Sequence, residues 1–233
     1  MEYKLPKIFE GVRIVSSQKT DGSMNIRTHS GLENALKFLQ KNNIALPFCI
    51  TQQTHETEIA TVSKPGSISS ADGLLTKENF VLAVRTADCV PLILYARNSG
   101  LIGAIHISRR NLIAGMISKS LKSALLKKKI QPNEVGVFLG PHIRAANYEI
   151  KDDISRVLRG SKWEKFIKEV GSKYFFDLTA EVICELEEIG IMRDNIADCK
   201  IDTFTSDIFF SARRQRPDSL TKTFLTVVYK NGD

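Results

Sequence analysis

The chain has 233 residues, 42% hydrophobic and 25% charged, and its 33 Lys and Arg against 26 Asp and Glu leave a net charge of +7. A globular chain of this size buries about three-quarters of the surface its unfolded form exposes, so it needs neither a disulfide nor a metal to fold, and any metal it binds would serve chemistry. No apolar run approaches the ~18 residues of a membrane span and the opening MEYKLPKIFE has no signal-like apolar core, so a cytoplasmic protein without a membrane partner is expected.

In chain order, the hydrophobic pattern predicts a strand over 12–15, a helix over 32–41 and a strand over 58–62. Three strands then follow directly, over 81–84, 91–96 and 101–106. A long helix is predicted over about 111–128, with Ile113, Met116, Ile117, Ser120, Leu121 and Ala124 on one face and lysines on much of the other. A strand over 134–139, helices over 163–170 and 179–189, and a last strand over 223–229 complete the reading. The helix over 179–189 has Asp177 or Thr179 as its N-cap and Gly190 just past its end. Strands and helices are mixed without regular alternation, which predicts an α/β fold of mixed sheets covered by helices, one domain over residues 1–233. Neither G-x-G-x-x-G nor G-x-x-x-x-G-K-[ST] occurs, so the common nucleotide-phosphate loops are absent.

The basic residues are scattered, apart from Lys127 to Lys129 at a helix end and the run Arg213, Arg214, Gln215, Arg216. With no aromatic-studded sheet or recognition helix, no nucleic-acid partner is expected. The four cysteines lack paired spacing and are expected to be reduced. Cys49 and Cys184 read as small core residues.

Cys89 differs, because it follows Asp88 in RTADCVPLIL, between two strand-like runs. His106 ends the strand over 101–106, and His55 lies in the polar segment TQQTHETEI. All three fall at strand edges, where loops present functional groups from a rigid scaffold. Thiolate and imidazole are preferred zinc ligands, and three protein ligands with one open position is the arrangement of catalytic zinc. Intervals of 34 and 17 residues exclude a short-spaced structural finger. Taken singly, each of the three also has a plain structural reading, as a core cysteine or a hydrogen-bonded histidine.

Further segments widen the pattern. In order they are Gln53-Thr54-His55, Ala71-Asp72-Gly73-Leu74-Leu75-Thr76, Thr86-Ala87-Asp88-Cys89-Val90-Pro91, His106 with Arg110, and Gly140-Pro141. Tyr148-Glu149, Phe176-Asp177-Leu178 and Phe209-Phe210-Ser211-Ala212-Arg213-Arg214 follow. This series resembles the YfiH-type laccase-domain family, historically called polyphenol oxidoreductases and now assigned as purine nucleoside phosphorylases. The resemblance implies a monomer with two mixed sheets between helical layers, and zinc held by His55, Cys89 and His106. It implies purine nucleosides and phosphate as substrates: phosphorolysis of adenosine, inosine, guanosine and methylthioadenosine, with adenosine deamination beside it. Some bacterial members are instead linked to hydrolytic editing of peptidoglycan precursors. A multicopper oxidase fits poorly, since it needs a dense set of histidines and the chain has four.

On this footing Arg110 and the Arg213/Arg214 pair are expected to hold phosphate. Asp88 and Asp72 are expected to serve as acid or base, or to orient a ligand histidine, with Asp72 also a turn former in A-D-G. Gln53 and Tyr148 are expected to shape the substrate pocket. His29 has no metal role, and His142 is either a spare ligand or a loop residue. One departure stands out. The family's H-A-G-W-R-G is replaced by His106-Ile107-Ser108-Arg109-Arg110-Asn111, and the lost glycines would be expected to reshape the pocket floor. Two other readings follow: a metal-free hydrolase with Cys89 as nucleophile and His106 as base, and a zinc-binding scaffold without turnover.

Overall fold

The run over 90–96, VPLILYA, is apolar at every position but its proline, and as a strand it buries both faces. Leu92 and Leu94 pack toward helices, while Ile93 and Tyr95 face a second sheet. The computed structural model describes residues 1–68, 70–215 and 222–231. Its strands are β1 (Val12–Ser16), β2 (Phe48–Thr51), β3 (Ile59–Thr61), β4 (Gly66–Ile68), β5 (Gly73–Thr76), β6 (Val81–Thr86) and β7 (Val90–Ala96). They continue with β8 (Leu101–Ile107), β9 (Val135–Leu139), β10 (Glu149–Ile150), β11 (Ile167–Val170), β12 (Lys173–Phe176), β13 (Ile196–Asp198) and β14 (Phe224–Lys230).

A five-stranded sheet has the order β1-β14-β6-β2-β4 and a six-stranded sheet the order β13-β9-β7-β8-β5-β3; both mix parallel and antiparallel pairs. From β2 to β7 the chain alternates between them at every step. The two sheets therefore stack, with Ile14, Leu82, Val84 and Val228 of one against Leu74, Ile93, Ile102 and Phe138 of the other. Helix α1 (His29–Lys41) covers the outer face of the five-stranded sheet through Ala35, Phe38 and Leu39, giving the expected layering of helices outside paired mixed sheets. On the far side, α2 (Arg109–Ala114), α3 (Lys122–Lys127), α4 (Asp152–Leu158) and α5 (Leu178–Glu188) pack on the six-stranded sheet. Asp177 is the N-cap of α5, accepting from the Ala180 amide, and Gly190 follows its end at φ 97°.

Two predicted helices differ. The long helix over 111–128 breaks at Gly115, whose φ of 104° ends α2, and resumes as a π-helical segment, Met116–Leu121, before α3. The break turns the buried face: Leu112, Met116, Ile117, Leu121 and Leu125 are sealed, while Ile113, Ser120 and Ala124 are half-buried. The predicted helix over 163–170 is instead a single 3-10 turn, Glu164–Phe166, followed by β11, the edge of a small antiparallel sheet β10-β12-β11. Cys49 is core as expected, but Cys184 is half-buried, its sulfur accepting from Lys165.

Candidate functional site

Two of the sheet-to-sheet crossings meet at one end of the stack. Between β2 and β3 the chain carries Gln53 to Glu56, and between β6 and β7 it carries Ala87, Asp88 and Cys89. His55 and Asp88 both sit at positive φ, 62° and 87°, a region that costs a non-glycine residue energy unless its surroundings impose it. Asp72 imposes it on His55. Its Oδ2 accepts from the Thr54 and Glu56 amides at 2.9 and 3.0 Å and from Thr54 Oγ1 at 3.1 Å, and its Oδ1 accepts from the His55 amide at 3.1 Å. The loop is wound around one buried carboxylate.

The same Asp72 Oδ1 lies 2.6 Å from Nδ1 of His106, at the end of β8. With Nδ1 donating to the carboxylate, Nε2 is the nitrogen of His106 left free toward the cleft, an acceptor once its proton is lost. Burial opposes a charge on Asp72, but the His106 contact and the backbone amides prevail and hold the carboxyl below its usual range. Burial likewise opposes protonation of His106, yet the neighbouring Cys89 sulfur and Asp72 push its pKa up to about 9. His55 moves the other way: burial first, then the neighbouring charges of His106, Arg110 and Arg27, hold its imidazole below the usual range despite Asp72.

Asp88 fixes the second crossing. Its Oδ1 accepts from Thr203 Oγ1 at 2.7 Å, its Oδ2 from the Arg213 amide at 2.6 Å, and its carbonyl from the Ile143 amide. Cys89, next in chain, projects beside His55 and His106. The ligating atoms of these three residues lie within 4.8 Å of one another, one sulfur and two imidazole nitrogens. They border a cleft of about 440 Å³ whose lining also includes Asn25, Arg27, Gln53 and Arg85. This donor set suits a single borderline-soft divalent ion, and the carboxylate behind His106 is the usual partner of a metal-bound imidazole.

The other predicted site residues lie around this centre in different ways. Gln53 borders the cleft, but its amide extends the β2–β6 ladder, accepting from the Arg85 N–H at 2.9 Å and donating to the Arg85 carbonyl at 2.7 Å. Asp88 and Asp72 have every carboxylate oxygen engaged and do not border the cleft. Tyr148 is sandwiched between the guanidinium groups of Arg109 and Arg213, at 5.7 and 5.6 Å, and burial pushes its hydroxyl pKa up to about 12. The Arg213/Arg214 pair divides, since Arg214 donates to the carbonyls of Phe204 and Phe209 at 2.8 and 2.7 Å. Neither arginine borders the cleft. Arg216, last of that basic run, lies outside the described residues. Arg110 is exposed and acts on His55 through its charge. His142 is sealed, bonded to the Gly140 carbonyl and to Thr179 Oγ1, and His29 is exposed beside Glu33.

The turn after His106 forms without glycine. None of residues 107–111 has a positive φ. Ser108 and Asn111 instead form a capping box at the start of α2, and Asn111 Nδ2 donates to the His106 carbonyl at 2.8 Å. The polar box holds the histidine's backbone. Arg85, Arg27 and Asn25 are the cleft residues that sequence reasoning missed; the available signal was a lone arginine ending the apolar run VLAV.

Known proteins resemble this chain in sequence and in fold. The profile of the multi-copper polyphenol oxidoreductase laccase family matches residues 15–228. A purine nucleoside phosphorylase of Campylobacter jejuni is 35% identical over 179 residues, 76% of this chain and 74% of that one. A purine nucleoside phosphorylase of Aquifex aeolicus is 30% identical over 170 residues, 72% and 76% of the two chains. Among solved structures, YlmD from Geobacillus stearothermophilus superimposes with a TM-score of 0.85 at 23% identity, covering 97% of this chain and 94% of that one. YfiH of Bacillus licheniformis superimposes with a TM-score of 0.82 at 22% identity, covering 94% and 93%. At those identities the structures speak for the fold.

Proposed function

The chain belongs to the multi-copper polyphenol oxidoreductase laccase family, and from that premise we propose that it is a purine nucleoside phosphorylase working with one zinc ion. The observation that carries the reading is the convergence of His55, Cys89 and His106 at the border of one cleft, with Asp72 behind His106. A set of several coppers is a poor match. His142 is sealed and His29 is paired at the surface, so among the described residues a single group of ligands forms.

In this reading Cys89 binds as thiolate, His106 through Nε2, and His55 from the loop that Asp72 winds. Zinc, when bound, supplies a Lewis acid in a partly enclosed site. Phosphorolysis forms a bond between a phosphate oxygen and C1′ of the ribose and breaks the bond from C1′ to the purine nitrogen. The purine leaves with the electron pair and takes up a proton. Positive charge builds on the sugar as that bond stretches, so the attacking anion must already be beside it. Arg27, Arg85 and Arg110 give the cleft the positive potential that draws phosphate in. The protein acts as a cytoplasmic monomer, with purine nucleosides and phosphate as its small-molecule partners.

The test is metal content and phosphate-dependent turnover of inosine and adenosine, in wild type and Cys89→Ala. Zinc near one per chain in the wild type, with ribose 1-phosphate formation lost in the variant, is the expected result. Wild-type protein lacking zinc and turnover sinks the reading. The adenosine arm also reports deamination, as product that appears without phosphate. One observation favours a second reading: Asp72, His106 and Cys89 are placed as orienting acid, base and thiol nucleophile of a metal-free hydrolase. Alkylation separates the two, since zinc protects a ligating Cys89 from iodoacetamide and leaves a free nucleophile exposed. The position of His55, which the hydrolase does not use, favours zinc.

A further inference from the structure

Arg85 is 7% exposed, and among the described residues no acidic group pairs with its charge. Its hydrogen bonds are long and go to neutral acceptors: Nη1 to Asn25 Oδ1 at 3.4 Å and Nη2 to the Thr51 carbonyl at 3.3 Å. Nε has no partner. No ion pair forms among the described residues, and the nearest charge acting on it is the like charge of Arg27. Burial and that repulsion push its pKa down to about 10, so the guanidinium remains a cation at neutral pH. Gln53 grips the Arg85 backbone from both sides, so the side chain is presented from a fixed point.

The surroundings share one deficit. Thr86 Oγ1 and Thr223 Oγ1, which border the same cleft, are also buried without partners. Among the described residues, no Asp or Glu borders the cleft. A buried cation is ordinarily matched by an opposite charge or a full set of acceptors, and unmet donors clustered at one opening mark the place of a missing acceptor. The missing group must be anionic, must offer several oxygens, and must be small enough to sit between Arg85 and the metal ligands.

We propose that Arg85, with Arg27 at the mouth and the hydroxyls of Thr86 and Thr223, forms a subsite for a tetrahedral phosphate oxyanion. It deepens the phosphorylase reading and rests on it for the identity of the anion, moving phosphate from the predicted Arg213/Arg214 pair, which lies off the cleft, to the cleft lining at Arg85. The oxyanion arrives either as orthophosphate, the attacking co-substrate, or as the phosphoryl group of a nucleotide.

Titration of the zinc-loaded full chain with orthophosphate, AMP and adenosine, followed by calorimetry and thermal shift, tests it in wild type, Arg85→Met and Arg27→Ala. Phosphate is expected to bind the wild type, weakening by about tenfold or more in Arg85→Met and less in Arg27→Ala, whose side chain is exposed. Arg85→Met is expected to melt no lower than wild type without ligand, because it removes an unmatched buried charge; a structural role would lower the melting point. Binding of AMP but not orthophosphate, lost in the same variants, assigns the subsite to a nucleotide. Binding of both anions unchanged in Arg85→Met, or of neither in wild type, overturns the proposal. Should Arg85→Met misfold, phosphate affinity in Arg27→Ala decides: unchanged affinity overturns it. Loss of phosphate binding in the variants of a protein with no phosphorolysis keeps the subsite and removes the reaction. Phosphorolysis with the same phosphate KM in wild type and Arg85→Met does the reverse.

Discussion

Asp72 accepts five hydrogen bonds, four from the loop that presents His55 and one from His106. It thereby sets both the left-handed backbone of one ligand and the free nitrogen of another. Asp72→Asn keeps the shape but turns one acceptor into a donor that faces donors. The expected cost is about 2 to 4 kcal/mol of stability in the zinc-free protein, with zinc affinity falling by about 10- to 100-fold. Urea denaturation of the apo form and chelator competition measure the two separately. A loss of stability with zinc affinity unchanged would reduce Asp72 to a loop staple. The three ligands were legible in the sequence because cysteine and histidine at strand ends are uncommon and chemically specific. Asp72 was half-legible, since A-D-G reads equally as a turn. Arg85 was not legible, because a basic residue at a strand end normally reaches water, and only its burial on the face shared with Val81 and Ala83, beside Asn25 and Thr51, keeps this one from it. Gln53 was picked out by its motif, but its partner proved to be the Arg85 backbone, a contact that depends on strand register.

At the scale of elements, most strands were legible from their apolar runs, and the failures have identifiable causes. Residues 163–170 place Trp163, Phe166, Ile167 and Val170 at helical spacing, yet the two residues Gly171 and Ser172 that follow close a hairpin, with Val170 opposite Lys173 and Gly171 at φ 61°. The tight turn outweighed the periodicity, because pairing with β12 supplies backbone partners that a two-turn helix cannot match. The long helix failed at Gly115, whose conformation a β-carbon disfavours. Gly115→Ala would bring its β-carbon to 2.8 Å from Lys119 Cδ, a flexible side chain that can swing away, so the cost lies in the backbone. A loss of about 1 to 2 kcal/mol is expected, read as a lower urea midpoint at unchanged m. No change in midpoint would mean that the π-helical segment, and not the glycine, sets the break. The turn of residues 106–111 makes the complementary point. Its missing glycines looked costly, but Ser108 and Asn111 make the exit from β8 with a capping box and no positive φ.

For the whole molecule, the layered plan followed from mixed strands and helices, but the pairing of β1 with β14, from opposite ends of the chain, carries no local signal. Nor does the burial of Glu181, on the face of α5 that packs toward the core. Both its carboxylate oxygens lack partners, and burial together with the charge of Glu185 raises its pKa from 4.5 to about 8. The folded protein thus holds a proton there that the unfolded chain releases above about pH 4.5. Stability follows the difference in bound protons, so this group's contribution is full at low pH and is lost as pH rises toward 8, on the order of 4 kcal/mol over the span. His142 acts in the opposite sense. Burial and Arg144 push its pKa from 6.5 down to about 4, so folding gains as pH rises from 4 to 6.5. The two slopes oppose each other below pH 6.5; above it the fall due to Glu181 continues, joined by that of His106, whose pKa of about 9 lies above its usual value. Glu181→Gln is therefore expected to lie within about 1 kcal/mol of wild type at pH 5 and to exceed it by about 3 to 5 kcal/mol at pH 8.5. Urea midpoints at both values test this, and taking the difference between the two proteins cancels every other titrating group. Parallel profiles would show that Glu181 does not hold its proton in the folded state, and that Lys162, which pairs with Glu185 at 2.9 Å, neutralises the cluster.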